Sequence, residues 1–173
     1  TNIHVQMIAD SLRESNGTRI TTMLWRVPRF IIPQINKYRV WSNSISSHRA
    51  KRFSTVLKDV RRNPYTPYVW QADHKSMQTD ELIASWKVPF VNALWKLGMW
   101  NQTVIANAIS RFGVSKQYTN RKIETYSYVD VLITGTTFDN FFKQRDNYHT
   151  QLEHQVLARR VKLAMRESEP KIL

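Results

Sequence analysis

The sequence contains no cysteine. That absence excludes thiol nucleophiles, disulfides and thiolate metal sites, and it fits a chain kept in the cytoplasm, the expected location. Glycine is scarce, at four residues. No GxGxxG and no P-loop can be assembled from them, so a Gly-rich phosphate cradle is excluded. Acidic residues are few: 13 Asp+Glu face 26 Lys+Arg, a net charge of +13. No apolar run approaches the roughly 18 residues of a membrane span. The start, Thr1 to Gln6, lacks an apolar core with a basic lead, so no secretory leader is expected.

Apolar residues make up 42% of the chain, a globular proportion. At 173 residues with no internal repeat, one domain spanning 1–173 is expected. The cationic surplus predicts anionic partners: nucleotides, phosphorylated cofactors or nucleic acid. Six Trp, seven Tyr and seven Phe supply flat surfaces for stacking, although aromatic side chains serve more often in cores.

Residues 3–9 alternate as a first strand. Asn16-Gly17 reads as a hairpin turn, and Arg19 to Val27 alternates as a second strand. Ile20, Thr22 and Leu24 fall on one face, Thr21, Met23 and Trp25 on the other. Pro28 suits the start of a helix carrying Phe30, Ile31, Ile35 and Tyr38, in which Pro33 must sit early or kink the chain. Ala50 to Arg62 reads as a basic helix burying Phe53, Val56, Leu57 and Val60. A long loop follows from Asn63 to about Gln78. Thr79 is the expected cap of a helix with Leu82, Ile83, Trp86, Phe90, Ala93, Leu94 and Leu97 inward, kinked at Pro89 and ended by Gly98. Asn101 is expected to cap a further helix to Arg111, and Ser115 to Arg121 a short one. Tyr126 to Thr134 is the third strand. Gly135-Thr136-Thr137 then turns into a helix with Phe138, Phe141 and Phe142. The last helix is expected from about His149 to Glu167, with Leu152, Val156, Leu157, Val161 and Ala164 inward and the tail beyond it loose.

Three places invite an anion. The stretch Arg39 to Arg49 sets Ser42, Ser44 and Ser47 between two bracketing arginines. Guanidinium forks and hydroxyls in that order can clamp a phosphate; a polar loop with solvated charges is the plain alternative. Arg121 precedes the third strand. Arg145 follows an apolar half-turn and precedes the break at Asp146-Asn147-Tyr148, where a side chain can be aimed into a cleft. His149 and Glu153 stand four apart, but two ligands do not make a metal site, so no metal is expected.

Taken in order, these segments resemble the flavin-dependent thymidylate synthases, in the short form found in bacteriophages. The family motif Arg-His-Arg-x-x-Ser-x-Asn-x-x-Ser-x-Arg stands here as Lys37-Tyr38-Arg39-x-x-Ser42-x-Ser44-x-x-Ser47-x-Arg49. Ile8-Ala9-Asp10-Ser11, Arg19-Ile20-Thr21-Thr22 and Pro28-Arg29-Phe30 are similar to the amino-terminal half. Asn120-Arg121, Glu124, Thr134, Thr136, Asp139-Asn140-Phe141-Phe142, Arg145, His149, Gln151 and Glu153 are similar to the carboxy-terminal half. The departures are Lys37, Tyr38 and Ser44, where the family has Arg, His and Asn.

The resemblance implies an α+β fold with a central, mostly antiparallel sheet packed with helices, and a homotetramer with shared active sites. It implies methylation of dUMP to dTMP. Methylenetetrahydrofolate would donate the carbon, FAD the hydride, and NADPH would re-reduce the flavin, with no enzyme nucleophile. It places dUMP against Gln34, Lys37, Ser47, Arg49, Arg121 and Arg145. Arg145 would be the catalytic residue, favouring the ionised pyrimidine. It places FAD against Tyr38, Arg39, Thr134, Thr136 and Asn140. If a phage encodes the chain, the location is the host cytoplasm. Two further readings stand beside this one. A repurposed relative would modify another pyrimidine nucleotide or a nucleic-acid base. A non-catalytic basic protein would bind nucleic acid, as the +13 charge allows.

Overall fold

The computed structural model describes residues 3–75 and 80–173. The expected cap at Thr79 and the loop's end at Gln78 lie outside the described residues. Among the described residues five strands and six α-helices are formed: β1 His4–Leu12, β2 Arg19–Pro28, α1 Ile32–Ile35, β3 Ser42–Ile45, α2 Phe53–Arg62, α3 Val88–Arg111, α4 Lys116–Arg121, β4 Tyr128–Gly135, α5 Asp139–Arg145, α6 Leu152–Glu167 and β5 Lys171–Ile172. The backbone gathers into two compact units, one of Thr1–Ser46 with Val129–Leu173 and one of Ser47–Tyr128.

The first unit is built on a five-stranded sheet in the order β3-β4-β2-β1-β5. β1 and β2 pair antiparallel from His4↔Arg26 to Leu12↔Arg19, with a bulge between Met7 and Ala9. Their connection closes where the Gly17 N–H donates to the Arg13 carbonyl, with Gly17 at φ 69°, a conformation that favours glycine. The alternation of β2 is kept: Met23, Trp25 and Val27 are fully buried, while Thr22 and Leu24 are half-buried. Pro28 ends β2 rather than opening a helix. A 3-10 turn, Arg29–Ile31, intervenes, and Pro33 sits in the first turn of α1, where its missing N–H costs nothing.

Part of the Ser-rich stretch is a strand. β3 pairs antiparallel with β4, Ser42↔Thr134 to Ile45↔Val131. β4 begins at Tyr128, two residues later than the sequence pattern suggests, because Glu124–Tyr126 forms a 3-10 turn. The tail is not loose. Lys171 and Ile172 pair parallel with Ser11 and Leu12, since the outer edge of β1 offers unpaired backbone groups.

α6 starts at Leu152, not His149, and packs on β1. Leu157 and Val161 face inward as expected, but so do Glu153, His154, Gln155 and Ala158. A polar first turn beneath an apolar helix gives no hydrophobic periodicity to read. Arg19 on β2 holds Asp10 by two hydrogen bonds, 2.8 and 2.6 Å. This interaction keeps the Asp10 carboxyl below its usual range.

In the second unit, Val56, Leu57 and Val60 of α2 meet Ala106 of α3 and Ile123. α3 is one continuous helix through Gly98 and Asn101, and Pro89 lies in its first turn without kinking it. Gly98 does not end the helix; it admits Tyr126. A Cβ there would stand 2.8 Å from the Tyr126 hydroxyl oxygen. The inward residues are Thr103 and Ala106, with Met99 and Trp95 half-buried one and two turns before Thr103. The stripe expected inward points out: Trp86, Phe90, Leu94 and Leu97 are each 60% or more exposed, and Trp100 and Val104 are exposed too. α3 is apolar on both faces, so its sequence periodicity could not choose between them. The small residues decide, because only their side allows close approach. Among the described residues no helix is long and apolar enough to cross a membrane.

Candidate functional site

Two groups of the sequence-derived residues are brought together, one in each unit. In the first unit, Tyr38 follows α1 and Arg145 closes α5. The Arg145 Nε–H donates to the Tyr38 hydroxyl at 2.9 Å, and the Tyr38 hydroxyl donates to Gln144 Oε1 at 2.8 Å. The guanidinium carbon lies 5.8 Å from the centre of the Tyr38 ring. Tyr38 is only 6% exposed. It stacks on Trp41 at 4.9 Å and meets Phe141 edge-on at 5.3 Å. Trp41 is itself anchored, its indole N–H donating to the Thr137 carbonyl at 2.8 Å. A Cβ on Gly135 would come within 2.5 Å of the Trp41 ring. Among the described residues no protein hydrogen bond reaches Nη1 or Nη2 of Arg145.

His154 of α6 is fully buried, and neither ring nitrogen has a hydrogen-bond partner. Burial first, and the charge of Arg145 second, push its pKa from 6.5 down to about 4. His154 therefore stays neutral and leaves Arg145 as the fixed cation. No spacing or pairing marks this histidine beforehand, because a lone His among polar neighbours looks exposed. Between pH 6.5 and about 4 the unfolded chain binds a proton at this imidazole that the folded protein refuses. Stability should therefore fall as pH falls through that window, by up to roughly 3 kcal/mol. Urea unfolding at pH 7 and pH 4.5 measures the loss, and His154→Leu should flatten it. Asp10 and Asp146, both lowered, add their losses only at lower pH still.

The remaining residues of the first unit are less engaged. The Thr134 hydroxyl is 2.9 Å from that of Thr22. Gln34 is half-buried; Lys37, Arg39, Thr136 and Asn140 are exposed. Among the described residues, the side chains of these five have no protein hydrogen bond. As a flavin cradle the set fits in part. Arg39, Thr136 and Asn140 offer uncommitted polar groups, whereas the hydroxyls of Tyr38 and Thr134 are already spoken for.

In the second unit, buried Asn120 donates through Nδ2 to the carbonyls of His48 (2.6 Å) and Lys51 (3.2 Å). These bonds pin the loop carrying Ser47 and Arg49 to α4, which ends at Arg121. Ser47 Oγ accepts the Arg49 backbone N–H at 3.2 Å and shapes the turn. Arg49 and Arg121 are exposed, and no protein group pairs their guanidiniums among the described residues. His48 is buried with Nδ1 3.6 Å from Glu124. The role of Asn120 was not legible beforehand, since its bonds span about seventy residues. Among the described residues no three His, Asp or Glu side chains gather as a metal set; His149 lies before α6, so it does not share a helix face with Glu153.

The sequence matches no family model and no curated protein. Solved structures do match. A UMP/dUMP methylase, PolB from Streptomyces cacaoi, crystallised with 5-Br UMP, superposes with a TM-score of 0.73. The match covers 96% of this chain and 90% of that one at 12% identity. The same methylase with 5-Br dUMP gives 0.67 over 96% and 91%, at 11% identity. The chain has the fold of that methylase. The α+β expectation, a sheet packed with helices, is met.

Proposed function

We propose that this protein methylates the pyrimidine ring of dUMP to give dTMP, with methylenetetrahydrofolate as carbon donor, NADPH as reductant and FAD as cofactor. The observation that carries the reading is the fold shared with a UMP/dUMP methylase over 96% of the chain. The ordered motif resemblance to flavin-dependent thymidylate synthases supports the finer assignment. In this reading the motif resemblance assigns the dUMP phosphate to Ser47 and Arg49, and further dUMP contacts to Gln34, Lys37 and Arg121. Arg145 turns its two Nη groups to the pyrimidine and stabilises its ionised form. Arg39, Thr136 and Asn140 supply the free polar groups for the flavin, which the motif resemblance also sets against Tyr38 and Thr134. The chemistry a bound flavin supplies is hydride transfer. With no cysteine in the chain, no thiolate attacks the ring.

UMP is the second candidate substrate, favoured because the methylase sharing this fold takes both UMP and dUMP. The test is purified protein with FAD, NADPH and methylenetetrahydrofolate, offered dUMP, UMP and single-stranded DNA in parallel. A flavin absorbance band and dTMP formation are expected. Methylated UMP alone would move the substrate to the ribonucleotide; a colourless protein that forms no methylated pyrimidine would end the reading.

A homotetramer belongs to the same proposal. The outer face of α3 and the 3-10 turn Ser85–Lys87 before it support it, since Trp86 of that turn and Phe90, Leu94 and Leu97 of the helix are all exposed. Buried aromatics contribute about 150–250 Å² each. The stripe thus approaches the largest apolar patch of a typical monomer, about 300–600 Å². A second copy of this chain is the occupant proposed. Light scattering after size exclusion should give four chains, and Phe90→Glu with Leu94→Glu should give a smaller species.

A further inference from the structure

We infer that Tyr38 is a positioning residue: its hydroxyl, oriented by Gln144, fixes the guanidinium plane of Arg145. The inference rests on Arg145 being the group that meets the pyrimidine, and it assigns to Tyr38 a task separate from lining a cofactor.

The direction of the relay is forced by chemistry. A guanidinium only donates, so the Tyr38 oxygen must accept from Arg145 Nε and send its own proton elsewhere. Gln144 Oε1, at 2.8 Å, takes that proton. The hydroxyl is thereby committed at both ends. An arginine side chain left alone turns about several bonds. Here one bond to Nε at 2.9 Å and a ring face at 5.8 Å fix both the reach and the tilt of the plane.

The anchor itself cannot drift. Tyr38 is held by Trp41 and Phe141, and Trp41 by the Thr137 carbonyl, by Phe138 stacked at 5.0 Å and by the close backbone of Gly135. His154, close enough for its charge to be opposed by that of Arg145, is neutral and does not compete as a cation. With Nε turned inward, Nη1 and Nη2 remain as a coplanar donor pair. Such a pair matches a planar acceptor that can receive two parallel bonds, as the oxygen and nitrogen edge of an ionised pyrimidine can. Where the resembling family has His, this chain has a phenol that reaches Arg145 directly.

Tyr38→Phe keeps the stacked ring and removes only the hydroxyl. Turnover of the pyrimidine nucleotide should fall roughly 10–100-fold, with the loss in kcat rather than KM. In ligand-free protein the Arg145 Nε–H resonance should exchange with solvent about tenfold faster than in the wild type. Gln144→Met, at an exposed position that leaves the core intact, should move both readouts in the same direction by less. Unchanged exchange in Tyr38→Phe overturns the inference whatever the turnover, and so does faster exchange with unchanged kcat. A wild type that converts no pyrimidine nucleotide would instead overturn the proposed function, and the exchange measurement would still decide the link between Tyr38 and Arg145.

Discussion

Arg145→Ala is expected to lower kcat on dUMP by roughly 100–1000-fold, the loss seen when one preorganised donor to developing charge is removed. The reason lies in where the guanidinium's five N–H donors go. Nε is bound to Tyr38, and no protein group takes the Nη pairs among the described residues. A side chain held at one end with its charged fork unpaired is arranged to meet a ligand. Arg145→Lys keeps a charge but loses the Nε bond and the planar fork, so it should recover only part of the activity. Removing the charge also relieves the opposition felt by His154. Its titration should rise in Arg145→Ala but stay below 6.5, because burial is the larger cause. Turnover within a few-fold of the wild type would remove Arg145 from the chemistry.

Trp25→Ala should destabilise the protein by about 3–5 kcal/mol, the range for emptying a large aromatic site. That is a large share of the roughly 5–15 kcal/mol that holds a domain folded. Trp25 is fully buried, stacked on Phe141 at 5.6 Å and edge-on to Trp41 at 5.4 Å. The same two rings hold Tyr38, so the cavity would loosen the anchor of Arg145 as well as the core. Trp25→Phe should cost much less. It removes an indole N–H that is buried without a hydrogen-bond partner, which offsets part of the lost contact area. Urea unfolding of the two variants measures the difference. Equal losses would mean that the ring kept by Phe contributes nothing at this position, and would overturn the cavity argument.

The legible parts of this fold are those whose signal is short in sequence. β2 alternates because a strand sends successive side chains to opposite faces, and Met23, Trp25 and Val27 duly lie inward. The turn at Gly17 and the buried side of α2 are equally local. Arg145 stood out because it follows an apolar half-turn and precedes a break. Its partner could not be foreseen from spacing, since Tyr38 is 107 residues away. For α3 the local signal was misleading, because a helix apolar on two sides carries no periodicity that names its buried face.

The sequence by itself settled the absence of a thiol, the excess of cationic groups, the alternation of the strands and the arginines available to an anion. Each is a property of composition or of neighbours a few residues apart. Only the tertiary structure decided that the Ser-rich stretch lends Ser42–Ile45 to the sheet, that Asn120 fastens the loop of Ser47 and Arg49, and that His154 is buried and neutral. It also decided that Tyr38 grips Arg145 and not solvent. These outcomes depend on which distant groups burial brings within hydrogen-bond reach, and on the cost of leaving them unpaired there.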